Sequence, residues 1–385
     1  MIGFELTHEQ KRLQERARRF SIEVILPVAD KHDREGTFPV DVMEKAHQEG
    51  FLTPLVPKEY GGQGLGVLDN CLIAEELAAG CMGIYVSIFV STLAIYPIIK
   101  FGSEEQKERF LKPICSKFGM ASYCLSELTA GSDPASMKTT ATLNGDHYLL
   151  SGTKMWITNG GYADFYLVFA TTNPQKKHKG ILCLIVPSNF EGVSHGEPID
   201  KMGQRASNTT AVRFDQVKVP RENLLAGEGE GFKKAMAALD ITRPMISIGA
   251  VGMARSAMEL ATQYAKKRIQ FGVPIAEHQA IQFILADMAI GIEAAKLLVY
   301  KAAWLADQGA RNSKEAAMAK AFASDVAMRV TSDAVQIYGG MGYTKWHPVE
   351  KLMRDAKVIQ IYEGTAQIMR IIIARRMLEE VEKTL

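Results

Sequence analysis

The chain has 385 residues, 47% of them apolar and 23% charged, which excludes a wholly disordered or fibrous protein and leaves room for two or three domains or one large composite domain. Lys and Arg number 45 against 43 Asp and Glu, a net charge of +2. That near-cancellation argues against a dedicated nucleic-acid binder and leaves open a small basic pocket for a phosphorylated ligand.

The first third reads as helix. Residues 9–20 place Leu13, Ala17 and Phe20 near helical spacing, and Pro27 is expected to end or kink that pattern. Residues 40–49, 68–79 and the shorter 104–111 predict further helices, with a glycine-rich loop at 57–66. Around Ala121 the texture changes to short β-type runs at 148–151, 165–171, 180–186 and 210–219. Asn144-Gly145, Asn173-Pro174, Pro187 and Pro220 punctuate them. No helices intervene, so an antiparallel sheet or barrel is expected rather than a parallel βαβ sheet. From 231 the helical pattern returns over 232–241, 245–270, 274–307, 314–338 and 365–380, long segments rich in Ala, Met and Leu that suit a bundle. The expected order is a helical domain over 1–120, a β domain over 121–230 and a helical bundle over 231–385.

Cys71, Cys81, Cys115, Cys124 and Cys183 form no CxxC pair, and their odd number points to reduced thiols. The eight histidines show no HExxH or HxxxH spacing, so no metal site is expected. The chain opens without a charged segment leading into an apolar one, and its most apolar stretch, 84–99, reads as too short for a membrane span. A cytoplasmic protein with no membrane association is the expectation.

Six segments could carry chemistry. The glycine run 61–66 superficially matches a dinucleotide loop, but it lacks the preceding strand and following helix, so it reads as a connector. In 123–133, Gly131 between Ala130 and Ser132 offers free backbone N–H groups and small hydroxyls suited to a phosphate or a flavin edge, or else makes a simple turn. In 152–161, Trp156 beside Ile157 and Thr158 would stack on and hydrogen-bond a planar ring, or fill a core. Arg268, near Phe271 and Gln279, would clamp a pyrophosphate or merely end a helix in solvent. Gly339 and Gly340, after Gln336, would admit a ligand close to the backbone or cap a helix. Glu363 stands among Ile359, Ile361 and Tyr362, just before a helix that Thr365 would cap. Apolar surroundings raise a carboxylate's pKa and make it a base near neutral pH; the plainer role is a first-turn Glu complementing the helix dipole.

In this order and over nearly the whole chain, these segments resemble the acyl-CoA dehydrogenase family of flavoproteins. The resemblance implies a mostly α fold with an N-terminal helical domain, a central antiparallel β-barrel and a C-terminal four-helix bundle, assembled as a homotetramer with FAD. It implies that Tyr123, Leu125, Ser126, Gly131 and Ser132 form the flavin edge, with Ser132 also near the acyl-CoA. Trp156, Ile157 and Thr158 would cover the flavin ring. Arg268, Phe271, Gln279, Gln336, Gly339 and Gly340 would hold the dinucleotide half of a neighbouring subunit's FAD, and Thr365 and Gln367 its pyrophosphate and adenine side. Asp240 and Arg243 would meet CoA, Tyr362 and Gly364 the substrate, and Glu363 would be the base. One departure is visible: the family usually carries Glu-Pro where this chain has Glu127-Leu128.

The implied reaction is α,β-dehydrogenation of an acyl-CoA thioester to the 2-enoyl-CoA, with electrons passed to electron-transferring flavoprotein. Thr242, where some relatives place the base, has no carboxylate. An acyl-CoA oxidase using oxygen on the same scaffold, or a non-catalytic flavin or CoA binder, are the alternatives. Tyr85 and Phe89, four residues apart, would share a helix face and close the far end of the acyl pocket, or pack into the helical core instead. If they close the pocket, the acyl group is compact: short, branched or alicyclic.

Overall fold

The structure, a computed structural model, describes residues 5–382. Six helices come first: α1 (His8–Phe20), α2 (Leu26–Glu35), α3 (Val40–Gln48), α4 (Val67–Gly80), α5 (Met82–Phe101) and α6 (Glu104–Ser116). Thr7 with Gln10, and Ser103 with Gln106, form capping boxes that satisfy free N–H groups at the starts of α1 and α6. Pro27 does not break the first run. It falls in the opening turn of α2, which continues α1 through a wide π-type turn over Ser21–Ile25, and Gly36 at φ 65° ends the helix.

Eight strands follow: β1 (Ala121–Cys124), β2 (Thr140–Asn144), β3 (His147–Thr158), β4 (Phe165–Thr171), β5 (Ile181–Pro187), β6 (Val193–His195), β7 (Thr209–Pro220) and β8 (Leu224–Ala226). Their order is β6-β7-β3-β2-β4-β5-β8, with β1 also paired to β4. The sheet is mixed rather than antiparallel throughout. β1 runs parallel to β4 from Ala121–Phe165 to Cys124–Val168, and β2 meets β4 in parallel at Thr140–Thr171. The β2–β3 hairpin supplies the crossover that a parallel pair needs, a job usually done by a helix. A register shift between Lys154 and Ile157 bulges β3, and Trp156 within it adopts φ 65° and stands 52% exposed.

The last third holds α7 (Gly231–Lys267), a small hairpin of β9 (Ile269–Gln270) and β10 (Val273–Pro274), then α8 (Gln279–Asp307), α9 (Ser313–Tyr338), α10 (Val349–Lys357) and α11 (Ala366–Glu382). The expected break near Pro244 does not occur, and α7 runs unbroken for 37 residues. Proline removes the N–H that would have bonded the Asp240 carbonyl. Asn312 Nδ2 donates to that carbonyl instead, at 2.9 Å, so the helix continues without an orphaned acceptor.

α5 packs against α4, α7 and β1. Its length does not exclude a membrane span as expected for 84–99, since its 20 residues are long and apolar enough; its place does, because 89% of the apolar stretch is buried inside the protein. α4 and α7 touch backbone to backbone at Gly252, where a Cβ would stand 2.0 Å from the Glu75 carbonyl oxygen. The five cysteines are free thiols, and all but Cys115 are buried.

Candidate active site

β1 and the loop after it, the end of β3, α5, α7 and the turn before α11 converge on a cavity of about 210 Å³. Tyr123, Leu125, Ser126, Gly131, Ser132, Trp156, Ile157 and Thr158 line it, as do Phe89, Arg243, Tyr362, Glu363 and Gly364. The fold thus brings together segments that lie far apart in the chain.

The loop after β1 is fixed from beneath. Glu127 accepts from the N–H groups of Lys138 (2.7 Å) and Thr139 (3.0 Å) and from Lys154 Nζ (2.9 Å), and Lys154 also donates to the Leu125 carbonyl (3.1 Å). Both side chains are buried, Lys154 completely. Paired backbone bonds between Glu127 and Ala130 close the turn, leaving Leu128 76% exposed. The turn is held by the buried ion pair and these bonds, without the family's proline. Met155 N–H donates to the Ser126 carbonyl at 2.9 Å, tying this loop to the bulge that carries Trp156.

Glu363 and Gly364 are both left-handed, at φ 54° and 95°. A non-glycine residue in that region is strained by about 1–3 kcal/mol and persists only where its surroundings hold it. Here two cations hold it: Arg243 Nε donates to the Glu363 carbonyl (3.2 Å) and Lys320 Nζ to the Gly364 carbonyl (2.6 Å). Thr365 caps α11, its Oγ1 accepting from Ile368 N–H at 3.1 Å. Thr242 Oγ1 donates to Glu363 Oε2 at 3.4 Å, while buried Oε1 has no partner among the described residues. Burial pushes the Glu363 carboxyl up to about 7, against the opposing pull of Arg243, Lys320 and the Thr242 hydroxyl.

Tyr85 is a correction. It does not line the cavity; its ring lies behind Phe89, 5.9 Å between centroids, and its hydroxyl donates to the Met245 carbonyl at 2.9 Å. A buried phenol needs a partner, and Gly249 leaves the room to reach one on α7: a Cβ there would stand 2.7 Å from the Tyr85 ring. Val86, Val90 and Leu93 join Phe89 on the wall from α5, facing Leu239 and Ile246 from α7. These apolar residues had no distinguishing signal, because α5 is apolar all round. Asp240 also lies off the cavity wall. Its carboxylate accepts from Arg243 Nη1 at 2.9 Å and from the Ser313 hydroxyl, so it braces Arg243.

Arg268, Phe271, Gln279, Gln336, Gly339 and Gly340 lie elsewhere, exposed around the C-terminal ends of α7 and α9 and the start of α8. The Tyr264–Tyr338 stack, at 4.1 Å, holds the first two of these ends together. Phe271 is 95% exposed, and a Cβ on Gly339 or Gly340 would meet nothing within 4 Å. Gln367 is exposed on α11.

The cavity fits a flavin ring. Among the described residues the hydroxyls of Ser126, Ser132 and Thr158 make no hydrogen bond within the protein, and a Cβ on Gly131 would meet nothing within 4 Å. Free donors, an open backbone and a half-exposed indole therefore border one slot.

Matches to the N-terminal, middle and C-terminal domains of acyl-CoA dehydrogenase cover residues 7–117, 122–217 and 229–378. The chain belongs to the acyl-CoA dehydrogenase family. It is similar to an acyl-CoA dehydrogenase of Bacillus subtilis, 44% identical over 375 residues that span 97% of this chain and 99% of that one. It superposes on butyryl-CoA dehydrogenase from Megasphaera elsdenii with a TM-score of 0.96 and 40% identity, covering 98% of this chain and all of that one (100%). A chain from a structure reported for the electron transferring flavoprotein of Acidaminococcus fermentans and flavin-based electron bifurcation gives a TM-score of 0.96 and 44% identity, with 98% and 100% coverage. The protein is accordingly a flavoprotein oxidoreductase of fatty-acid metabolism that uses FAD and dehydrogenates acyl-CoA.

Proposed function

We propose that the chain oxidises a compact acyl-CoA with Glu363 as the base, and that its electrons go to electron-transferring flavoprotein. The observation that carries the base is the unpartnered, buried Oε1 at the cavity wall, on a carboxyl pushed up to about 7. Trp156, Ile157, Thr158 and the loop 125–132 would hold the flavin ring; bound FAD supplies a hydride acceptor and a ribityl hydroxyl. An α-hydrogen beside a thioester is too weakly acidic for a carboxylate unless the enolate is stabilised as it forms. The Glu363 N–H has no hydrogen-bond partner among the described residues, which leaves it free to donate to the thioester oxygen. Glu363 then takes the α-proton as hydride leaves the β-carbon, and Arg243 and Lys320 keep the turn rigid while charge moves.

The apolar α5 wall of the cavity supports a compact acyl group. Phe89, Val86, Val90 and Leu93 line its α5 side, and the Tyr85 ring that packs on Phe89 is tied to the Met245 carbonyl through its hydroxyl. Anaerobic bleaching of the yellow protein by butyryl-, isobutyryl-, cyclohexanecarboxyl- and octanoyl-CoA tests this. The compact substrates are expected to bleach with the higher kcat/KM, and Phe89→Ala to raise the octanoyl value about tenfold by relieving overpacking. Octanoyl-CoA as the best substrate of the unaltered enzyme would overturn the compact reading. Rapid aerobic reoxidation of the reduced, product-bound enzyme would instead identify an oxidase.

The exposed group around Arg268 supports a homotetramer in which it reaches a neighbour's FAD. Retention of FAD and assembly are then linked by mass action. Arg268→Ala is expected to release FAD on gel filtration and to shift the oligomer toward smaller species. A fully flavinylated monomer would contradict it.

A further inference from the structure

Lys320 is buried completely, on a stretch of α9 rich in alanine (Ala316, Ala317, Ala319, Ala321 and Ala323) with Met318 and Phe322 between them. A lysine sealed in such surroundings loses its hydration, a cost that stable folds avoid unless the charge is matched. Among the described residues no carboxylate pairs with Lys320 in a salt bridge, and its one hydrogen bond among them runs to the Gly364 carbonyl at 2.6 Å, an acceptor that any neutral donor would satisfy. The carbonyl just before it, that of Glu363, takes Arg243 Nε from α7. Two successive carbonyls of one strained turn are thus each drawn by a cation from a different helix, which leaves the Glu363 and Gly364 N–H groups unbonded among the described residues.

We propose that Lys320 is a positioning residue for the dehydrogenation: its ammonium pins the Gly364 carbonyl to hold the left-handed Glu363–Gly364 turn and sets a positive charge beside the base. This deepens the reading of Glu363 as the base and rests on it. A neutral residue would serve the fold at lower cost, so the charge is explained by what it faces. The charged groups acting on Lys320 are Glu363 from the turn before α11, Arg243 from α7 and Asp325 from α9 itself. Asp325 is held by Arg370 of α11 and Gln360. Around Glu363 the titratable neighbours are Arg243, Lys320 and the phenols of Tyr85, Tyr123 and Tyr362, all three pushed up by burial and neutral through the working range. Burial lowers Lys320 to about 8, so its charge is present where Glu363 titrates and fades just above.

The sign follows. A nearby cation favours the carboxylate, so removing it raises the Glu363 midpoint. In Lys320→Met, the protonated-carboxyl infrared band that vanishes in Glu363→Gln is expected to titrate about one pH unit or more higher than in the unaltered holoenzyme. Turnover of butyryl-CoA is expected to fall about 10²-fold as the turn loosens, with KM and FAD content little changed. The unaltered enzyme is expected to lose kcat/KM above about pH 8 as Lys320 discharges, and Lys320→Arg, which stays charged, is expected to restore the midpoint and to abolish that fall. An unmoved Glu363 midpoint in Lys320→Met, or Lys320→Arg matching Lys320→Met in both readouts, would overturn the inference. Should Lys320→Met fail to fold, Lys320→Arg decides alone: an alkaline fall like that of the unaltered enzyme overturns the proposal. Undiminished turnover in Glu363→Gln would remove the base reading by a separate route, since the carboxyl band still reports on Lys320 where Glu363 is present.

Discussion

Glu363→Gln is expected to fold, bind FAD and remain yellow in the presence of any acyl-CoA. Loss of flavin reduction should be on the order of 10²-fold or more, because among the described residues nothing at the cavity replaces a missing general base: Thr242 is a hydroxyl, and the neighbouring cations hold backbone carbonyls. The unaltered enzyme should gain activity with rising pH through a limb near 7, where burial has placed the carboxyl. The same displacement makes a stability prediction of opposite sign. A carboxyl raised in the folded state binds its proton more tightly there than in the unfolded chain. Its contribution is therefore full at low pH and is lost as pH climbs from the ordinary carboxylate range through 7. At pH 8 Glu363→Gln should be more stable than the unaltered protein, by about 1–3 kcal/mol, and near pH 4 the gap should close. Urea unfolding of both proteins at the two pH values checks this. An equal difference at both would remove burial as the cause of the raised carboxyl, and near-normal turnover would move the base elsewhere.

Glu363, Trp156, Thr158 and the loop through Gly131 and Ser132 each had a plainer local reading, a helix-dipole Glu, a core Trp or a simple turn, and only their order along the chain, through the family resemblance, gave them roles. β4 was readable to the residue because it is apolar along its whole length and ends at Thr171 before a turn. Other features lacked any local signal. The continuity of α7 through Pro244 depends on Asn312, 68 residues on in sequence, supplying the missing donor. The parallel β1–β4 pairing depends on where the β2–β3 hairpin folds back. On α5 the apolar character is unbroken, so spacing could not tell Phe89, which faces the cavity, from Tyr85, whose hydroxyl turns to Met245. Lys320 escaped for a similar reason: a lysine among alanines is the ordinary pattern of a solvated helix, and only the packing of α7 and α11 over it seals it.

Lys351→Met is expected to give the largest loss of stability, about 3–5 kcal/mol. Lys351 is 8% and Asp355 0% exposed, and Lys351 Nζ meets Asp355 Oδ2 at 2.5 Å and Cys81 Sγ at 3.3 Å. Burial alone would lower the lysine, but Asp355 and Cys81 outweigh it and hold Lys351 above its usual range. The other Asp355 oxygen accepts from Gln204 N–H, and Gln204 Nε2 donates to the Asp355 carbonyl (3.0 Å) and the Tyr362 hydroxyl (3.2 Å). Gln204 is itself left-handed at φ 49°, and Gly203 beside it leaves no room for a Cβ, which would stand 2.4 Å from the Arg354 carbonyl. Arg354 in turn reaches Asp33 of α2 at 2.7 Å. One buried cluster therefore joins the first helices, the β domain and the bundle, one hydrogen bond from a residue of the cavity wall. Removing only the lysine strands a buried carboxylate; removing both charges does not. Lys351→Met with Asp355→Leu should thus be more stable than Lys351→Met alone, although Gln204 N–H then loses its acceptor. Urea unfolding with FAD release followed in parallel separates the two variants. A double variant no more stable than the single one would show that the cluster acts through Gln204 rather than through its matched charges.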